Sequence, residues 1–344
     1  MLMLSNLHIL YLLTFFYTAL LILPSTSLAP TIIIRLSFLF TVVLPVLFIL
    51  YTVVATHAHA SSTSTSTPTK HSPAWIPGIH GALANHNFCE ADHVYSGYYV
   101  EFFNTFSSLP IIFYGGVGPY YTRKYASKEL RFACSFISIG AVGVGSALFH
   151  GTMLRFGQVL DEVPMLCIIF AGIYCFVEDA ETSKYGVWFP FVLVAACISL
   201  VAGYLVFYMY SLFLLAFSSG VVLLLIRGVV VVQRAPALSS FILKISALSI
   251  AIRFSCWLAD QHLCAHVQFL NLHVGWHIGT GFCGYMFTMF LLTLRASALK
   301  KKASLVVCGW KGCGWRLSEE LEWSRSEQRP EFLLPYVEFQ QQKL

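Results

Sequence analysis

Seven apolar runs follow one another between residues 101 and 298, at about 101–122, 131–150, 158–178, 186–203, 205–226, 238–258 and 273–296. Most approach the roughly 20 predominantly apolar residues that a bilayer-crossing helix needs. The fourth and fifth are parted only by Gly203 and Tyr204. The chain therefore reads as an all-α membrane protein, a seven-transmembrane helix bundle. Composition excludes a water-soluble domain: 57% of the 344 residues are hydrophobic and 11% charged, where a soluble chain is about a quarter charged. Mean hydropathy is +0.72. The net charge of +5 is too small to suggest a nucleic-acid partner, and no protein partner is expected.

Two further apolar runs, Leu7–Leu23 and Thr31–Val54, precede the core. They predict one or two extra N-terminal hydrophobic helices, a signal anchor or two spans, within an extension over 1–60. Residues 61–83 hold the low-complexity run SSTSTSTPTKHSP and read as a Ser/Thr-rich linker. The core covers 84–298. Beyond it, residues 299–344 begin with Lys300, Lys301 and Lys302 and read as a polar, partly disordered tail.

Charge sets the orientation. Arg123, Lys124, Lys128 and Arg131 follow span one, Arg227 and Arg234 follow span five, and the lysine triplet follows span seven. With seven core spans all of these lie on one side. The positive-inside rule makes that side cytosolic and the core N-terminus lumenal.

Against this background the ionisable residues at membrane depth stand out, because they are costly there and usually functional. His150 ends span two and Asp161 opens span three. His273 and His277 lie four apart at the head of span seven, and Ser146 lies four before His150. Spacing of four puts both members of each pair on one helix face, and the odd–even count of spans brings all five to the lumenal side. Taken singly, each has a bland explanation: a packing histidine, or a serine bonded to its own helix. Three imidazoles and an acid at one level suit a catalytic zinc. A second polar cluster, NFCEADHVYSGYYVEFFNT, offers Asn87, the Phe88 carbonyl, Glu90, Asp92 and Glu101. Oxygen donors this close in sequence can wrap a hard cation such as calcium, or form an acidic loop without one. Most of the ten cysteines fall in apolar runs and read as small hydrophobes. Cys89 and Cys264 fall in polar segments flanking spans.

The segments FCEADHVYSGYYVEFFNTFSSLP, GSALFHGTMLRFGQVLDEVPM and HVGWHIGTGFCGYMF resemble the alkaline ceramidases, seven-span zinc amidases of the endoplasmic reticulum and Golgi. The resemblance implies an integral multi-pass enzyme that hydrolyses the ceramide amide. It implies zinc on His150, His273 and His277, with Ser146 and Asp161 as catalytic residues. It further implies calcium on Asn87, Phe88, Glu90, Asp92 and Glu101, and a Cys89–Cys264 disulfide, which an oxidising lumen would permit. Where the family reads D-W-C-E-x-N this chain has Asn87 first and Asp92 last, so acid and amide trade places at constant charge. Receptors of the adiponectin-receptor or haemolysin III type share the Ser–His–Asp–His–His layout, and a zinc or proton transporter could use the histidines as a relay. The FCE…EFFNT block favours the ceramidases, and internal repeats of the transporter kind are not evident.

Overall fold

The computed structural model describes residues 82–207, 209–308, 314–326, 332 and 334–340. The expected extension over 1–60, and all but the end of the linker over 61–83, lie outside the described residues.

The chain is helical from Phe102 onward: α1 (Phe102–Ser107), α2 (Leu109–Tyr121), a π turn (Thr122–Ala126), α3 (Leu130–Thr152), α4 (Arg155–Val177), α5 (Trp188–Phe207), α6 (Tyr210–Val232), α7 (Ala237–His262), a short α8 (Cys264–Val267) and α9 (Leu272–Ala298). Six of these, α3 to α7 and α9, are long and apolar enough to cross a membrane. The run expected as span one is divided. Pro110, in the first turn of α2, has no N–H to return to α1, and proline is favoured where a helix starts. The break falls at Ser108, beside the histidines.

The expected boundary at Gly203–Tyr204 is corrected, because both residues lie inside α5 and the chain turns between Phe207 and Tyr210. Tyr204 is one of the few inward anchors of α5: it is 4% exposed and packs with Leu166, Leu212 and Phe213. The rest of that helix is largely exposed, as suits a helix facing lipid.

The core gathers on α9, where Tyr285, Met289, Phe290 and Leu292 meet Phe136 and Ile139 of α3 and Phe176 of α4. Small residues set the closest approaches, as is usual between membrane helices. A Cβ at Gly115 of α2 would overlap the Gly140 backbone of α3, and one at Gly145 of α3 would overlap the Leu160–Asp161 backbone of α4.

The tail, expected to be polar and partly disordered, holds a sheet among its described residues. Strands β1 (Ala303–Cys308), β2 (Gly314–Leu317), β3 (Trp323–Ser326) and β4 (Tyr336–Phe339) form an antiparallel sheet in the order β3-β2-β1-β4. Leu305, Leu317 and Val337 join the α9 core from one face. Val306 and Tyr336 pack on Val117 and Tyr121 from the other. These few buried apolar side chains order a segment whose charge density suggests none.

Candidate metal centre

Two helices deliver the histidines. His150 lies one turn beyond Ser146 on α3, and His273 and His277 occupy the first turns of α9. All four are buried. The imidazole rings stand 4.5 Å (His273–His277), 4.8 Å (His150–His277) and 5.0 Å (His150–His273) apart, centroid to centroid. One ring nitrogen from each lies within 4.8 Å of the others, so the triad could hold a metal ion.

What surrounds the rings fits a metal better than a packed polar core. A metal-binding histidine usually gives its other nitrogen to a carboxylate or hydroxyl, which fixes the ring and its tautomer. Here His150 Nδ1 is 2.5 Å from Glu101 Oε2 and His277 Nδ1 is 2.7 Å from Ser107 Oγ. Those contacts turn the opposite edges of both rings inward. His150 Nε2 and His273 Nδ1 are buried without a hydrogen-bonding partner among the described residues. Orphaned buried nitrogens are costly, and a shared cation would satisfy them. His277 Nε2 lies 3.2 Å from Ser146 Oγ, which accepts a hydrogen bond from Ser108 Oγ at 2.9 Å.

Asp161 is not hydrogen-bonded to any of the three histidines among the described residues. It faces the same cavity, about 380 Å³ in volume, as Ser146, His273 and His277. The walls of that cavity, from α4, α6, α7 and α9, are mostly apolar: Phe213, Phe217, Val221, Ile250 and Phe254 are typical. A chamber with a polar end and a long apolar remainder fits a lipid with one reactive polar group.

The residues expected to hold calcium lie close by but are already engaged. Glu90 is buried and accepts the backbone N–H groups of Phe103 (2.7 Å) and Asn104 (2.8 Å), so it caps α1. Burial pushes its carboxyl above the ordinary range, against those two hydrogen bonds. Glu101 Oε2 also accepts Asn104 Nδ2 at 2.8 Å, and Asn87 Oδ1 accepts the Phe88 N–H at 2.9 Å. Asp92 is half-buried. The Phe88 ring has a place that sequence reasoning did not give it: it lies 3.8 Å from the His273 ring and 4.9 Å from that of His150. Cys89 and Cys264 are joined as a disulfide, next to the Cys89 N–H bond to Asp260 Oδ2 at 3.2 Å.

Asn104, Ser107 and Ser108 were not among the expected site residues. The signal was the polar N-T-x-S-S set inside an aromatic-rich span, which puts them within two turns of Glu101 on the same stretch of helix.

A model of the Ceramidase family matches residues 81–317. The dcd3B protein of Dictyostelium discoideum, which carries an alkaline ceramidase name, is 29% identical over 261 residues, covering 65% of this chain and 90% of its own. Alkaline ceramidase YPC1 of Saccharomyces cerevisiae is 28% identical over 304 residues (77% and 94%). The alkaline ceramidase of Caenorhabditis elegans is 30% identical over 246 residues (64% and 87%).

Proposed function

The chain belongs to the ceramidase family, and from that premise we propose that it is a zinc-dependent hydrolase of the ceramide amide bond, releasing a sphingoid base and a fatty acid. The observation that carries this reading is the buried His150–His273–His277 triad at the polar end of an apolar cavity. Family membership weighs against the receptor and transporter readings.

His150, His273 and His277 would hold the zinc; bound there, it would supply Lewis acidity and bring the pKa of a bound water toward neutrality. The protein's own groups do the rest. Apolar walls take the two alkyl chains and leave the amide at the histidine end. Asp161, facing that end, accepts the proton of the attacking water and passes it to the departing nitrogen. Ser146 Oγ, held by Ser108 and His277, donates to the oxyanion as the carbonyl becomes tetrahedral. Glu101 and Ser107 keep two imidazoles in their binding tautomers.

We assign the acidic segment a calcium ion on Asn87, the Phe88 carbonyl, Glu90, Asp92 and Glu101. Each carboxylate oxygen has two lone pairs, so existing hydrogen bonds leave capacity for a cation. The divided pair α1–α2 counts as the first of seven spans. The core N-terminus is lumenal and residues 299–344 cytosolic, in an endoplasmic reticulum or Golgi membrane. The core domain is 84–298, joined to the extension by the linker 61–83.

The test is hydrolysis of ceramide, dihydroceramide and phytoceramide by the purified full chain, with and without calcium, alongside the metal content. His277→Ala is expected to lose zinc and turnover together. Normal hydrolysis by that variant removes the assignment.

A further inference from the structure

Outside that cavity, α7 carries an arginine within its membrane-crossing length. Arg253 sits nine residues before His262, the end of the helix, or about 14 Å along the axis at 1.5 Å per residue. A charge at such depth is expensive and normally pairs with another group. Among the described residues, no hydrogen bond or ion pair engages the Arg253 guanidinium. Its stem crosses α9 over two glycines. A Cβ at Gly279 would overlap Arg253 Cγ, and one at Gly275 would meet Arg253 Nη1 at 3.3 Å. The two helices thus make room for this half-buried side chain, which meets no counter-charge among the described residues.

The guanidinium lines a pocket of about 330 Å³ with Phe103, Leu270, Asn271 and Leu272. This pocket shares no residue with the histidine cavity, and the two lie on different faces of α9. It adjoins the first turn of α9, whose helix dipole favours an anion. Its lining includes exposed apolar side chains: Leu270 is 53% and Phe103 36% exposed. A cation, a helix N-terminus and an open apolar rim at one depth suit a phosphate that arrives on acyl chains.

We propose that this pocket binds the phosphate headgroup of an anionic phospholipid, in the leaflet on the histidine side, with Arg253 as its charged contact. The bound lipid clamps α9 to α7 one turn from His273 and His277, and so braces the metal centre without entering it.

The test uses the full chain in neutral, lipid-free detergent. Phosphatidylglycerol, phosphatidylcholine and inorganic phosphate are added separately, and thermal unfolding and native mass spectra are recorded. Phosphatidylglycerol is expected to raise the melting temperature by about 4 °C or more and to appear as a retained adduct, with a smaller effect from phosphatidylcholine. Arg253→Leu is expected to lose both effects and Arg253→Lys to keep part of them. If Arg253→Leu does not fold, Leu270→Glu, which places a competing carboxylate at the rim, is expected to abolish the adduct. An equal shift with inorganic phosphate would make this a free-anion site and overturn the lipid assignment. No shift in the wild type, or the same shift in every variant, would mean that Arg253 snorkels to water and the pocket binds nothing. Neither result depends on turnover, so the ceramidase reading stands or falls separately.

Discussion

His150 Nδ1 and Glu101 Oε2 are 2.5 Å apart, and neither side chain has any solvent exposure. With its carboxylate on Nδ1, the ring carries its proton there and keeps the Nε2 lone pair for the triad. A glutamine at 101 can offer an N–H instead and stabilise the opposite tautomer. Glu101→Gln is therefore expected to lower metal affinity and kcat about 10- to 100-fold, the usual cost of losing such a partner. Zinc content and kcat/KM, measured together, check it. Unchanged zinc and kcat would show that the carboxylate does not orient His150.

Much of this centre was legible in the sequence. Spacing of four fixes which residues share a helix face, and the parity of spans fixes which ends meet. Those two rules alone bring His150, His273, His277, Ser146 and Asp161 together. They do not report partners across helices, so Glu101 was read only as an oxygen donor for a cation, not as the partner of His150. Ser107 was hidden by the aromatic residues around it. The sheet in the tail was not legible for another reason: the charge density there masks the few apolar residues, Leu305, Leu317 and Val337, that seat it on α9.

The placement of Asp161 depends on a glycine. Gly145 lets the α3 backbone rest on Leu160 and Asp161, one residue from Ser146. A methyl group there meets backbone, which cannot rotate aside, so the helices must part. Gly145→Ala is expected to cost about 1–3 kcal/mol, the range for overpacking, and to lower kcat by moving Asp161 away from Ser146. Gly116, where an added methyl would have nothing within 4 Å, is the control, and Gly116→Ala is expected to be neutral. Thermal unfolding and kcat of both variants decide it; equal behaviour would remove the spacing argument.

At the opposite end of the bundle, Glu129 joins α3 to α9. It accepts Arg295 Nε at 2.7 Å and pairs with Arg131 at 2.6 Å. Burial alone would raise its carboxyl, but the Arg295 hydrogen bond and the two guanidinium charges prevail and hold it below the ordinary value. A depressed acid contributes stability that is fully present above its unfolded pKa, about 4.3, and is lost as pH falls through the lower folded value. The melting temperature should therefore decline below about pH 4.3 from this pair. Glu129→Gln is expected to be less stable at neutral pH and to show a shallower acid decline. Parallel acid limbs for variant and wild type would assign that decline to other groups.

Cys89 is tied to the end of α7 and the α7–α9 connection three ways: by its N–H to Asp260, by the disulfide to Cys264, and by its carbonyl, which accepts Gln268 Nε2 at 2.8 Å. The disulfide closes a sequence separation of 175 residues, and such cross-links typically contribute about 2–4 kcal/mol. Cys264→Ser leaves both hydrogen bonds, so the fold should persist with a lower melting temperature. The loosened segment bears Phe88, whose ring lies against His273, and zinc should therefore dissociate faster as well. Reductant applied to the wild type is expected to reproduce both changes, and the same reductant should leave Cys264→Ser unaffected. A wild type insensitive to reductant, with no loss in the variant, would show that the two hydrogen bonds alone hold Phe88 over the histidines.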